Sequence, residues 1–161
     1  SIEHASFIDS EGIRLAKRNG TYLSMDIYVT EYILGRGADA GILEENLAKE
    51  RTVGKIQREN FRKAVAAGVK MVMGTDAGIY PHHESPRQLS RMVQFGMTPI
   101  EALQSATINA ATLLKQQENF GSLRSGKYAD IIAVRGDPLT DVSLLEDVSF
   151  VMKAGTIYKT P

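Results

Sequence analysis

The chain has 161 residues, of which 43% are hydrophobic and 24% are charged, a composition that supports one domain with a buried core. Its 19 basic and 19 acidic residues give a net charge of zero, which argues against a nucleic-acid partner. There is no cysteine, no apolar run near the ~18 residues of a membrane span and no signal-peptide pattern, so we expect no disulfide, no thiolate metal site, no membrane partner and a cytoplasmic location.

The chain begins in strand-like sequence at Ser1, without an initiator methionine, so we expect that Ser1 is not the natural start of the gene product. Short apolar segments then alternate with amphipathic ones, as in βα units. In chain order we predict a strand over 1–4, a helix over 9–18 stopped by Asn19-Gly20, a strand over 22–25, an irregular stretch over 26–41, a helix over 43–67 ended by Gly68, and a strand over 69–73.

Three shorter helices are predicted next. Thr98 and Glu101 have the spacing of a capping box, and the intervening Pro99 suits the first helical turn. The predicted helices cover residues 85–95, 98–105 and 109–114. The alternation of strands and helices up to this point indicates a parallel sheet.

The pattern changes near residue 116, where glycines begin to separate short apolar runs. The runs over 129–134 and 150–153 predict antiparallel strands joined by tight turns, and Ala154-Gly155 is the predicted turn of a hairpin. We therefore divide the chain into two predicted units, residues 1–115 and 116–161.

Two polar residues follow apolar strand segments directly. Met71-Val72-Met73 leads into Gly74-Thr75-Asp76, and Ile2-Glu3 precedes His4. In parallel α/β folds, ligands and catalytic groups collect at the carboxyl ends of the strands. Because imidazole and carboxylate groups both bind zinc, the two strand ends predict half of a metal site.

Three segments, in this order, resemble the amidohydrolase superfamily. They are Ile2-Glu3-His4, Gly74-Thr75-Asp76-Ala77-Gly78 and Gly121-Ser122-Leu123-Arg124-Ser125-Gly126-Lys127-Tyr128-Ala129-Asp130-Ile131-Ile132-Ala133-Val134. The last is the most specific, because it resembles the return of the family's chain from its barrel into a small β-sandwich. Asp26-Ile27-Tyr28 and the long charged helix are most similar to the prolidase-like branch, whose members are metal-dependent dipeptidases acting on Xaa-Pro or Xaa-Arg substrates. The resemblance covers essentially all of the chain.

The resemblance implies an α/β fold made of part of a larger architecture. Residues 1–115 would be the C-terminal part of a (βα)8 TIM-like barrel, with strands six to eight and their helices, and residues 116–161 would supply strands of a small β-sandwich. Three βα units do not close an eight-stranded barrel, which takes ~250 residues. We expect the N-terminal half of the barrel or a second chain as a partner. The open sheet edges also favour association with another copy of this chain.

The resemblance also implies a zinc site, for one or two ions, that this chain does not complete. The family's His-x-His pair, its strand-four lysine and its strand-five histidine have no counterpart in the sequence. His4 is implied as a metal ligand. Asp76 is implied as a metal ligand and as the catalytic residue that carries the proton when zinc-bound hydroxide attacks an amide carbonyl. Tyr28 and His82 lie after the second and third strands and would bind the substrate.

Structural roles remain open for these four residues. His4 would then be packed at a strand end, Asp76 would cap a turn, and Tyr28 and His82 would be surface loop residues. The predicted function is the hydrolysis of small amides, with dipeptides as substrates, by the longer protein, the chain alone being inactive. The alternatives are a non-catalytic α/β module for binding or assembly, and an amidohydrolase that acts on cyclic amides or bases.

Overall fold

A parallel three-stranded sheet lies at the centre of the first part of the molecule. The computed structural model describes residues 1–37, 39 and 41–161. The strands are β1 (Ile2–Glu3), β2 (Leu23–Ser24) and β3 (Met71–Val72), in the order β1-β2-β3. The predicted parallel sheet is therefore confirmed, with strands shorter than the apolar runs that predicted them.

Three helices connect and cover these strands. They are α1 (Ser10–Asn19), α2 (Val29–Arg36) and α3 (Glu44–Ala67). The side chain of Asp9 caps α1 by accepting a hydrogen bond of 2.7 Å from the backbone N–H of Gly12. Gly20 and Gly68 end α1 and α3 in the left-handed conformation, with φ of 66° and 72°, which glycine adopts without steric cost. None of the described helices has the length and apolar composition needed to cross a membrane.

The prediction of an irregular stretch over residues 26–41 was wrong, because it contains α2. Gly35 and the β-branched Val29 and Thr30 lower the local helix propensity. The helix is instead stabilised by tertiary contacts, since Val29 and Thr30 are buried and Glu31 accepts hydrogen bonds from the guanidinium of Arg91. Ala38 and Ala40, at the end of the same stretch, lie outside the described residues.

The helices of the second half agree with their predicted positions. They are α4 (Arg87–Gln94), α5 (Pro99–Ala106) and α6 (Ile108–Leu113), with short 3-10 helices at His82–Glu84 and Val142–Glu146. The capping box of α5 is complete. The Thr98 side chain accepts from the backbone N–H of Glu101, and the Glu101 carboxylate accepts from the Thr98 backbone N–H at 2.7 Å.

A second, antiparallel sheet closes the described chain. Its strands are β4 (Ile131–Ala133), β5 (Phe150–Lys153) and β6 (Thr156–Lys159), in the order β4-β5-β6. The predicted hairpin turn is confirmed, since Ala154 and Gly155 link Lys153 to its partner Thr156 with positive φ values of 48° and 81°.

The hydrophobic core crosses the predicted boundary between the two units. Leu23, Phe61 and Met92 are fully buried at its centre. Val142 and Leu145, from the 3-10 helix before β5, belong to the same buried cluster. The apolar packing is therefore continuous across residues 115 and 116. The two predicted units differ in their sheets, parallel before this point and antiparallel after it, and their division into separate domains stays a prediction.

Candidate metal centre

The register of the first sheet brings three strand ends together. Ile2, Leu23 and Met71 lie at the same level across the sheet, and the pairs one residue further on remain in register. Because the strands are parallel, the residues that follow them share one edge. His4, Asp26 and Asp76 follow β1, β2 and β3 at this edge.

These three side chains converge on a small open cavity. Nδ1 of His4 lies 3.0 Å from Oδ1 of Asp26, and the three residues have potential ligand atoms within 4.8 Å of one another. The cavity has a volume of about 200 Å³. Its lining residues are Glu3, His4, Ser24, Asp26, Gly74, Thr75 and Asp76.

The backbone at the cavity takes conformations that few residues adopt. His4 and Asp76 have φ values of 60° and 49°, in the left-handed region that is uncommon outside glycine. Gly74 is required by a close approach of two strand ends, since a Cβ atom there would lie 2.2 Å from Oγ of Ser24. The loop from Gly74 to Asp76 therefore packs directly against Ser24 at the end of β2, and this contact positions the backbone that carries the Asp76 side chain.

Asp26 is the buried member of the group, with 5% of its surface exposed. A buried carboxylate needs hydrogen-bond donors, because its desolvation is otherwise uncompensated. Nε2 of Gln57, on the inner face of α3, donates to Oδ1 of Asp26 at 3.0 Å and contacts the backbone oxygen of His4 at 3.3 Å. One glutamine of the long helix therefore holds both β1 and β2 ends in place.

The carboxylates around His4 favour its protonated ring. The charge of Asp26 and its hydrogen bond raise the pKa of His4 above its usual value, and the charge of Asp76 acts in the same direction. The His4 side chain is largely exposed, whereas that of Asp26 is buried. An ion pair of this kind leaves the imidazole accessible from the cavity while one of its nitrogens is held by Asp26.

The donor set fits a zinc ion. Zinc binds histidine nitrogen and carboxylate oxygen at about 2.0–2.2 Å, so two ligands of one ion lie at most about 4.4 Å apart. The potential ligand atoms of the group lie within 4.8 Å of one another, close to this limit. The contact between His4 and Asp26 also matches the usual arrangement in which a ligating histidine donates its second ring N–H to a carboxylate.

Two of the predicted site residues are brought together and two lie apart from them. His4 and Asp76 share the cavity. The buried hydroxyl of Tyr28 donates to Oε2 of Glu84 at 2.5 Å, and burial with this hydrogen bond raises the pKa of Tyr28 to about 12. His82 is exposed in the first 3-10 helix. Neither lines the described cavity, so their assignment to substrate binding stays a prediction.

Sequence reasoning missed Asp26 and Gln57. Asp26 lies nearer to the end of the second strand than Asp76 lies to the end of the third, so the rule that singled out the other two strand ends would have found it. Gln57 gave no comparable signal, since its role depends on which face α3 turns to the sheet.

A parallel sheet in an α/β fold, with an imidazole and two carboxylates at its carboxyl edge, places this chain among α/β proteins with a candidate metal site at that edge. The chain belongs to the amidohydrolase family, whose sequence model matches residues 1–160. A solved Xaa-Pro dipeptidase with bound methionine in its active site is 40% identical, with a TM-score of 0.90 over 98% of this chain and 39% of that one.

The chain is also similar to two relatives that are not named as dipeptidases. Ochratoxinase from Aspergillus niger is 32% identical over 100% of this chain and 34% of its own length. Imidazolonepropionase from Brevibacillus brevis is 30% identical over 96% of this chain and 38% of its own length. The resemblance to the amidohydrolase superfamily and to its prolidase-like members is confirmed. The chain spans well under half the length of these relatives.

Proposed function

We propose that the protein containing this chain is a metal-dependent amidohydrolase that hydrolyses small amides, with Xaa-Pro or Xaa-Arg dipeptides as its substrates. The observation that carries the proposal is the convergence of His4, Asp26 and Asp76 on one cavity at the carboxyl edge of a parallel sheet. The dipeptidase described above, at 40% identity, supports the choice of substrate.

In this proposal His4 and Asp76 hold zinc, as one or two ions. Zinc bound there would act as a Lewis acid on the amide carbonyl and would lower the pKa of water to about 7. Asp26 orients the His4 imidazole through the 3.0 Å contact to Nδ1. Asp76 is exposed at the cavity mouth, where its carboxylate accepts a proton from the attacking water and passes it to the leaving amine.

We further propose that the site is completed by protein outside these 161 residues. Strands β1 and β3 are the outer strands of the first sheet in the part of the chain described here, so their outer edges are the places where further strands would pair. On the β3 side, such a strand would displace the hydrogen bonds from Met73 N–H to the backbone oxygen of Ser105 and from the Asn109 side chain to the backbone oxygen of Met71. Further barrel strands at these edges, from an N-terminal half or a second chain, would make β1 to β3 strands six to eight of a (βα)8 barrel. The 161 residues alone would then have no useful activity.

A substrate panel tests the proposal with the complete protein loaded with zinc. Release of free amino acids is measured from Xaa-Pro, Xaa-Arg and unrelated dipeptides, ring opening is measured for a cyclic amide, and ammonia release is measured for an amino-substituted base. Zinc-dependent turnover of the Xaa-Pro or Xaa-Arg substrates supports the proposal. No bound zinc and no turnover of any substrate would instead identify a non-catalytic module.

A cyclic amide is the second candidate substrate class, and it is supported by a different relative. The relative named imidazolonepropionase matches almost the whole chain at 30% identity, which favours a cyclic amide as the alternative. Turnover of the cyclic amide without dipeptide cleavage would keep the metal site and reject the dipeptidase assignment.

A further inference from the structure

Four basic side chains lie along one face of α3. Their spacing, at relative positions i, i+4, i+7 and i+11, places them in one row on a helix. They line a cavity of about 290 Å³ between α2, α3 and the end of α4, which we call the basic cavity. Its basic lining residues are Arg51, Lys55, Arg58 and Arg62.

Two of these cations are held against one aromatic ring. The guanidinium carbons of Arg58 and Arg62 lie 5.0 and 4.6 Å from the centroid of the buried Phe95 ring. Like charges four residues apart on a helix repel each other, yet cation–π contact with Phe95 keeps both groups in place. The two positive charges are therefore positioned together before any ligand arrives.

Arg58 also has an unmet hydrogen-bond donor. Its Nε atom is buried and has no hydrogen-bond partner among the described residues. Its Nη2 atom makes only a long contact, 3.4 Å, to the backbone oxygen of Ile27. A buried guanidinium donor without an acceptor is unfavourable, and a side-chain movement that turns Nε of Arg58 toward an anion in the cavity would supply that acceptor.

The nearby carboxylates of the described chain offset one of the four cations, Arg51, and leave the other three without an ion pair. Glu44 pairs with Arg51 at 2.7 Å, and Glu31 pairs with Arg91. Thr30 donates its hydroxyl hydrogen to Glu50. Among the described residues that line the cavity, Glu59 is the one carboxylate beside four cations. In the described part of the chain, Lys55, Arg58 and Arg62 form no ion pair within 4.0 Å.

We propose that the basic cavity is a binding site for a phosphate-type oxyanion, either inorganic phosphate or the phosphate group of a small ligand. Guanidinium groups match phosphate oxygens with pairs of parallel hydrogen bonds, and clustered cations favour a multiply charged anion over a single carboxylate. The cavity shares no lining residue with the candidate metal centre. The site is thus separate from the proposed hydrolytic function and does not depend on it.

Isothermal titration calorimetry of the complete protein tests this proposal, with phosphate and pyrophosphate as probes at low ionic strength. We expect saturable binding at one site per chain, tighter for pyrophosphate. Arg58→Gln and Arg62→Gln should each weaken binding by about tenfold or more. The matched control is Arg18→Gln, which removes the same charge from the exposed end of α1 and should bind like the wild type.

Three results would overturn the proposal. They are the absence of saturable heat up to about 10 mM of either probe, equal weakening by Arg18→Gln, and unchanged binding in Arg62→Gln. Circular dichroism melting of each variant establishes that it is folded. If Arg58→Gln fails to fold, Arg62→Gln decides the question, because its side chain is exposed. Zinc content and peptide hydrolysis are independent readouts, so failure here leaves the proposed function standing.

Discussion

His4 and Asp26 form an ion-pair contact across two neighbouring strands, with 3.0 Å between Nδ1 and Oδ1. The imidazole is exposed to the cavity, and the carboxylate is buried and held by Gln57. Asp26 is therefore the fixed member of the pair, and His4 is the member that a ligand can reach. The buried Asp26 carboxylate positions the His4 ring, and this ring and the Asp76 carboxylate share one cavity.

Replacement of Asp26 should weaken zinc binding without unfolding the protein. In Asp26→Asn the side chain keeps its shape and still accepts from Gln57, but it loses the charge that orients the His4 ring. Loss of such a partner typically reduces metal affinity by about 10–100-fold. A zinc competition titration of the complete protein measures the change. Asp147→Asn, at a fully exposed carboxylate, is the control, and equal affinities in both variants would contradict the positioning role.

Replacement of Asp76 should lower turnover by orders of magnitude. In Asp76→Asn the group that accepts and returns the proton is lost, and general acid–base catalysis contributes about 10²–10⁴-fold to rates. We expect kcat of the complete protein to fall by that order while its circular dichroism spectrum is unchanged, because Asp76 is exposed. Turnover near that of the wild type would remove Asp76 from the mechanism.

The sequence predicted those features that depend on local patterns. The ends of α1 and α3, the capping box at Thr98 and the turn at Ala154-Gly155 follow from the conformational preferences of a few adjacent residues. His4 and Asp76 were recognised because each follows an apolar strand segment. These signals are readable without knowledge of the rest of the fold.

The features that were missed depend on residues far apart in the chain. Helix α2 is stabilised by an ion pair between Glu31 and Arg91, which are separated by 60 positions. The hydroxyl of Tyr28 is directed to Glu84 across 56 positions. No local pattern indicates either pairing, because each follows from how the helices pack on the sheet.

Replacement of Gly74 should destabilise the fold through one contact. In Gly74→Ala the new Cβ atom would lie 2.2 Å from Oγ of Ser24, and such overpacking costs about 1–3 kcal/mol of unfolding free energy. Ser24→Ala in the same chain removes the clashing oxygen and should restore part of that loss. Urea denaturation measures both variants. Gly35→Ala, where nothing lies within 4 Å, is the matched control and should not destabilise.

Tyr28 should make stability fall with rising pH in the alkaline range. Burial raises its pKa to about 12 in the folded protein, whereas an unfolded tyrosine ionises near pH 10, at about its model value. Between these values the native state retains a proton that the unfolded state has lost. The contribution is therefore complete below pH about 10 and disappears as pH approaches 12, on the order of 3 kcal/mol.

Urea denaturation of the wild type and of Tyr28→Phe, at a series of alkaline pH values, measures this contribution. Tyr28→Phe should be less stable at neutral pH, because Glu84 loses its hydrogen-bond donor. Its free energy of unfolding should also decline less steeply between pH about 10 and 12. Tyr158→Phe, at a largely exposed ring, should leave the slope unchanged. Parallel slopes for wild type and Tyr28→Phe would show that the Tyr28 hydroxyl titrates like an exposed phenol.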